Sequence, residues 1–256
     1  SRSPNLLNIL GAIHFRLREK HTAIFYYEKA LQIMPNHFES LYNLGVALNS
    51  IGNYEQGRMV LIQSLNIKPR SYMTYEALGL CYKNLNNSTK AIECFQKALS
   101  IKPNQISTLN HLGIIFSHLG QNRKALQYFR KIIDFKPDSH RAHRHMSLVT
   151  DYKTDKRHIF ELEAILEKNL SPIAEIDIRY AYFKAMSTIR NFDTAFKNLK
   201  RAKALRKLEL KYDIRRDLKV FERVKSFYSR KQKLKIFNTK NKGSLKNIFV
   251  VGMPRS

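Results

Sequence analysis

Three five-residue phrases decide how this chain folds: Leu41-Tyr42-Asn43-Leu44-Gly45, Tyr75-Glu76-Ala77-Leu78-Gly79 and Leu109-Asn110-His111-Leu112-Gly113. Each sets a leucine beside a glycine, and the glycines are 34 residues apart. Leu10-Gly11 extends the register one period towards the N-terminus, and Pro35, Pro69, Pro103 and Pro137 keep the same interval. A fixed period of this length marks stacked supersecondary units. Each slot has a physical role. The glycine lets the first helix of a unit approach the second closely, and Ala23, Gly57, Ala91 and Ala125 do the same from the second helix. Tyr27, Leu61, Phe95 and Phe129 supply bulk to fill the space between neighbouring units. Small residues recur at Ala30, Ser64 and Ala98, while Ile132 departs from the pattern. The proline blocks continuation of the second helix. Gly52-Asn53, Asn86-Asn87 and Gly120-Gln121 form turns between the helices. One pair cannot bury its apolar stripe alone, whereas a stack builds a continuous core.

This pattern resembles the tetratricopeptide repeat (TPR), with four repeats over residues 1–139. The resemblance implies an all-α, right-handed solenoid. Residues 140–237 are expected to be a degenerate, TPR-like helical region ending in a basic helix. There Met146-Ser147 takes the Leu-Gly slot, a helix is expected from Arg157 to Glu167, and Ser171-Pro172 breaks it. A further pair runs through Tyr180 to Ala185, a turn at Arg190-Asn191, and Phe192 to Leu199. Phe183 replaces the glycine of that pair, which predicts looser or shifted packing. Leu218, Phe221, Val224 and Tyr228 recur at near-helical spacing and predict one amphipathic helix.

The charge balance is extreme. Lys and Arg number 46 against 20 Asp and Glu, a formal net charge of +26. Residues 141–256 hold 29 of the basic and 12 of the acidic residues. Such a field favours acidic or anionic ligands. A Lys-, Asn- and Ile-rich chain without Trp also bears the stamp of AT-rich coding, so the charge does not argue for nucleic acid as a partner. No apolar run reaches the ~18 residues of a membrane span. Two cysteines, Cys81 and Cys94, sit among apolar residues; this usage fits a reducing, cytoplasmic compartment better than a disulfide scaffold.

The chain ends on Phe249-Val250-Val251-Gly252-Met253-Pro254-Arg255-Ser256. A β-branched run turning into Gly-x-Pro-Arg-Ser reads as a strand entering a phosphate-binding loop. The loop is similar to the 5′-phosphosulfate loop of sulfotransferases and differs from a Walker A loop. Together with the array, the degenerate pair and the basic helix, it resembles bacterial TPR-containing sulfotransferases. That resemblance implies that residues 238–256 are a linker and the first strand of a truncated α/β sulfotransferase domain. It implies 3′-phosphoadenosine-5′-phosphosulfate (PAPS) as the cofactor of the full-length protein, held by Gly252, Met253, Pro254, Arg255 and Ser256. Backbone N–H groups of such a turn hold phosphate oxygens, and Arg255 would neutralise charge on the leaving group. The chain opens at Ser1 without Met and stops within the loop. It is therefore expected to be a piece cut at both ends, inactive alone, with its catalytic base downstream.

A TPR array binds a protein or peptide through polar residues on the inner face of its first helices. Here these are Asn8, Tyr42, Asn43, Glu76, Lys83, Asn84, Asn110, His111 and His118. The clamp that co-chaperones use for acidic heat-shock tails needs Lys and Asn in the first repeat; Asn8 and Ala12 stand there, so that clamp is incomplete. His140, His143 and His145 form His-x-x-His-x-His, and the first two would share a helix face as a metal pair, but no Cys or further His nearby supports them by spacing, so no metal is assigned. The alternative to the enzyme is an adaptor that binds peptides in its groove.

Overall fold

The computed structural model describes residues 3–210 and 213–231. They form thirteen α-helices and, among the described residues, no strand. Eight helices make four antiparallel pairs: α1 (Pro4–Arg16) with α2 (Lys20–Ile33), α3 (Phe38–Ser50) with α4 (Tyr54–Ile67), α5 (Tyr72–Asn84) with α6 (Ser88–Ile101), and α7 (Ile106–His118) with α8 (Asn122–Phe135). Each second helix also packs on the first helix of the next pair, so the pairs stack as a solenoid.

The repeated residues explain the stacking. Ala23, Leu61, Ala91, Phe95, Ala125 and Phe129 are fully or almost fully buried. Each bulky residue packs on the first helix of the next unit, Tyr27 with Leu44 and Leu48, Leu61 with Leu78, and Phe95 with Leu109 and Leu112. Each also covers the glycine of its own unit: a Cβ on Gly79 would meet the Phe95 ring at 2.8 Å, and Gly11, Gly45 and Gly113 stand in the same relation to Tyr27, Leu61 and Phe129. Ile132 fills its small-residue slot and is buried with Phe129 and Met146.

The turns inside the pairs share one geometry. Arg18, Gly52, Asn86 and Gly120, again 34 residues apart, all have positive φ, between 58° and 89°. The next N–H closes back over the helix end, as from Asn87 to the Tyr82 carbonyl at 2.8 Å and from Gln121 to that of Phe116 at 2.9 Å. This is the left-handed termination that caps orphan helix carbonyls. Between pairs, Ser71 Oγ accepts from Thr74 N, and His37 caps α3 by accepting from Ser40 N.

The regular alternation changes after α8. Helix α9 (His140–Val149) packs chiefly on α11 (Pro172–Thr188), while the short α10 (Arg157–Leu166) packs on α11. Asp177 of α11 binds His140 Nδ1 at 2.7 Å and Arg144 Nη1 at 2.6 Å, which ties α11 to α9. Phe183, in the expected glycine slot, is half-buried in a cluster with Tyr152, Ile159, Ala185, Met186 and Ala195. Helix α12 (Phe192–Glu209) follows a turn in which Arg190 has φ 64°.

The chain divides into two units, Ser1–Arg206 and Lys207–Ser256. In the second, α13 (Ile214–Lys231) carries the expected apolar positions Leu218, Phe221 and Val224, all of them exposed. The expected boundary at residue 237, the strand and the loop lie outside the described residues. No described helix is long and apolar enough to cross a membrane.

Candidate functional site: a polar inner face and a buried histidine relay

All nine inner-face residues lie on first helices: Asn8 on α1, Tyr42 and Asn43 on α3, Glu76, Lys83 and Asn84 on α5, and Asn110, His111 and His118 on α7. Several are committed to one another. Asn43 Nδ2 donates to Asn8 Oδ1 at 2.9 Å, and Asn84 Nδ2 donates to Asn49 Oδ1 at 3.2 Å, each bond joining consecutive units. Glu76 accepts from Ser107 Oγ, and from Gln105 Nε2 at 3.4 Å. Tyr42 stacks on Phe38, with ring centroids 6.5 Å apart. Burial raises the Tyr42 phenol above its ordinary range, and the Glu76 carboxylate adds to the shift. His118 is exposed at the end of α7.

Asn110 and His111 differ from the rest. Asn110 Oδ1 and His111 Nδ1 are buried and have no hydrogen-bond partner. Both line a cavity of about 310 Å³ between α7 and α9, together with Ser107, Arg141 and Ala142. His111 stacks on Phe95 with ring centroids 5.2 Å apart, and burial, with Lys83 nearby, lowers its pKa. One period later His145 stacks on Phe129 at 5.7 Å. Arg141, exposed on α9, brings a cation to the cavity rim. Repeat arithmetic identified Asn110 and His111. It missed Arg141, because the Leu-Gly signal fades in the unit that carries it.

Beneath α9 lies a second polar group that sequence reasoning did not assemble. His143 does not pair with His140. Its Nδ1 lies 2.9 Å from His158 Nε2, and its Nε2 donates to the Pro137 carbonyl at 2.7 Å. Tyr152 Oη sits 2.7 Å from His158 Nδ1. The three side chains are fully buried, and the two imidazoles stack with centroids 5.2 Å apart. Burial drives the His158 pKa down to about 3, lowers that of His143 and raises that of Tyr152, so the relay is uncharged near neutrality. No periodicity links residues 143, 152 and 158; only packing brings them together. Cys81 and Cys94 are buried free thiols, and burial pushes them up to about 12 and about 11. They are structural rather than reactive.

Models of the tetratricopeptide repeat match residues 4–37, 26–59, 73–105 and 106–139. The chain carries tetratricopeptide repeats, and its described structure is an all-α solenoid built on them. Among solved structures it is similar to PilF of Pseudomonas aeruginosa: TM-score 0.62, 14% identity, covering 79% of this chain and 91% of that one. It is similar to MamA, residues 41 to the end, from Desulfovibrio magneticus RS-1: TM-score 0.57, 20% identity, 64% and 93%. It also resembles YrrB, described as a TPR protein with an unusual peptide-binding site: TM-score 0.54, 16% identity, 72% and 90%. At these identities the likeness is one of fold. No curated protein matches the chain.

Proposed function

We propose that the array docks an extended, acidic polypeptide segment along its inner face, centred on the cavity between α7 and α9. One observation carries this reading: Asn110 Oδ1, an acceptor, and His111 Nδ1, a donor or an acceptor by tautomer, are buried without partners beside the exposed cation of Arg141. A peptide N–H satisfies Asn110 Oδ1, a peptide N–H or C=O satisfies either tautomer of His111 Nδ1, and an acidic side chain pairs with Arg141. Inner-face residues already bonded across units, such as Asn8, Asn43 and Asn84, keep the surface in shape instead of offering free contacts. The peptide-binding site named for YrrB supports the same class of ligand. Bound peptide should protect α7 and α9 amides from hydrogen exchange and leave α1 unchanged; protection confined to α1 and α3 would contradict this placement.

The finer reading is that the docked segment is the acceptor of a cytoplasmic, bacterial sulfotransferase. In the parent protein that the resemblance implies, a sulfuryl group passes from PAPS to an acceptor hydroxyl. Its support is the sequence Gly252-Met253-Pro254-Arg255-Ser256, with the order of array, degenerate pair and basic helix before it. The two buried free thiols agree with a reducing compartment. In that parent, Arg255→Ala should cost on the order of 2–4 kcal/mol in transition-state stabilisation. Arg255→Lys should recover part of it. Deleting repeats 1–4 should spare PAPS binding and impair acceptor use. PAPS affinity unchanged by Arg255→Ala would leave the adaptor reading in its place.

A further inference from the structure

We infer that His143, His158 and Glu161 form a site for one divalent transition-metal ion of the zinc class, seated between α9 and α10. Helix α10 carries His158 and Glu161 three residues apart, on one face. Helix α9 brings His143. The candidate ligand atoms all lie within 4.8 Å of one another.

The proton positions favour the site. The Pro137 carbonyl only accepts, so His143 carries its proton on Nε2 and turns the Nδ1 lone pair towards His158. The Tyr152 hydroxyl works in either direction. When it donates to His158 Nδ1, His158 Nε2–H bonds His143 Nδ1 and the relay is closed. When it accepts from His158 Nδ1–H, two lone pairs converge across 2.9 Å, and a cation between them satisfies both. Each ring then keeps its outer N–H on an oxygen, the Pro137 carbonyl or the Tyr152 hydroxyl. Such outer contacts orient metal-bound histidines.

Glu161 supplies an independent observation. Its Oε1 accepts from Arg130 Nη1 at 2.5 Å, while Oε2 is buried without a partner. Leaving a buried carboxylate oxygen unpaired is costly, and a metal ion relieves it. Two imidazoles and one carboxylate are a known zinc ligand set that leaves the fourth position to solvent. With bonds of about 2.0–2.2 Å, neighbouring ligand atoms lie roughly 3.4 Å apart, so the histidine pair opens by about half an ångström while the carboxylate closes in. The bound ion would clamp α10 and Tyr152 to α9.

The test uses the full, untagged chain, stripped of metal by a chelator that is then removed. Titration with Zn²⁺ should show one ion per chain. Co²⁺ should give visible absorption that Zn²⁺ abolishes. Glu161→Gln should weaken binding ten-fold or more and His158→Gln should abolish it, whereas His118→Ala and His140→Ala should leave it unchanged. If His158→Gln fails to fold, as judged by circular dichroism, Glu161→Gln and the wild-type Co²⁺ spectrum decide. No stoichiometric binding, or an affinity unchanged by Glu161→Gln, overturns the site.

Discussion

The ring of Phe95 fills the space above Gly79, where a Cβ would sit only 2.8 Å from Cε1. Phe95 is fully buried, so it cannot swing out into solvent. Gly79→Leu should force α5 and α6 apart and destabilise the chain by roughly 1–3 kcal/mol through overpacking. Thermal or urea unfolding reads this directly; an unchanged midpoint would refute the close helix approach.

Arg190 is held at φ 64° in the turn between α11 and α12, where two of the equivalent turns use glycine. A left-handed conformation costs a non-glycine residue roughly 1–2 kcal/mol. Arg190→Gly should therefore stabilise the chain by about 0.5–1 kcal/mol once the extra freedom of unfolded glycine is offset. A loss of stability on this change would mean that the Arg190 side chain holds the turn by contacts of its own.

Asp177, mostly buried, receives both His140 and Arg144. Asp177→Asn removes the charge that joins α9 to α11 and should cost about 1–3 kcal/mol. Hydrogen exchange should quicken first in α9. Uniform quickening from α1 onwards would show instead that this contact stabilises the array as a whole.

His111 gives the chain a pH dependence of definite sign. Burial lowers its pKa below the ordinary 6.5. Below that pH the unfolded chain binds more protons than the folded one, so the His111 contribution is complete above about 6.5 and is lost as pH falls. Glu76 and Lys83 on α5 face it and pull in opposite directions, Lys83 with the shift and Glu76 against it. Urea unfolding from about pH 7.5 to about pH 5 should weaken wild type more than His111→Gln. Parallel curves would assign the pH dependence to other groups.

The repeated part of the fold was legible because its constraints are local and periodic. Gly79 and Pro103 each answer a backbone requirement that recurs every 34 residues, and the turn residues Gly52, Asn86 and Gly120 do likewise. The buried relay was hidden because its geometry is tertiary. Helical spacing puts His140 and His143 on one face, yet packing sends His140 to Asp177 of α11 and His143 to His158 of α10. Tyr27, Leu61, Phe95 and Phe129 fill the space between units as their bulk predicts, and each covers the glycine of its own unit as well. On the inner face, position alone chose the residues, but pairing decides which are free. Asn43 is spent on Asn8, whereas Asn110 keeps an open acceptor.

Docking at the α7–α9 cavity is tested most directly with two charge reversals of equal size. Fluorescent, unstructured peptides of one length and rising Asp and Glu content are titrated against wild type, Arg141→Glu and Lys97→Glu. Arg141 lines the cavity, and Lys97 is exposed on α6. Both variants lower the net charge equally, so long-range attraction falls alike in the two. Acidic peptides should bind wild type, and Arg141→Glu should weaken them ten-fold or more while Lys97→Glu stays close to wild type. Equal weakening by both variants would mean that binding follows net charge, and would contradict a peptide site between α7 and α9.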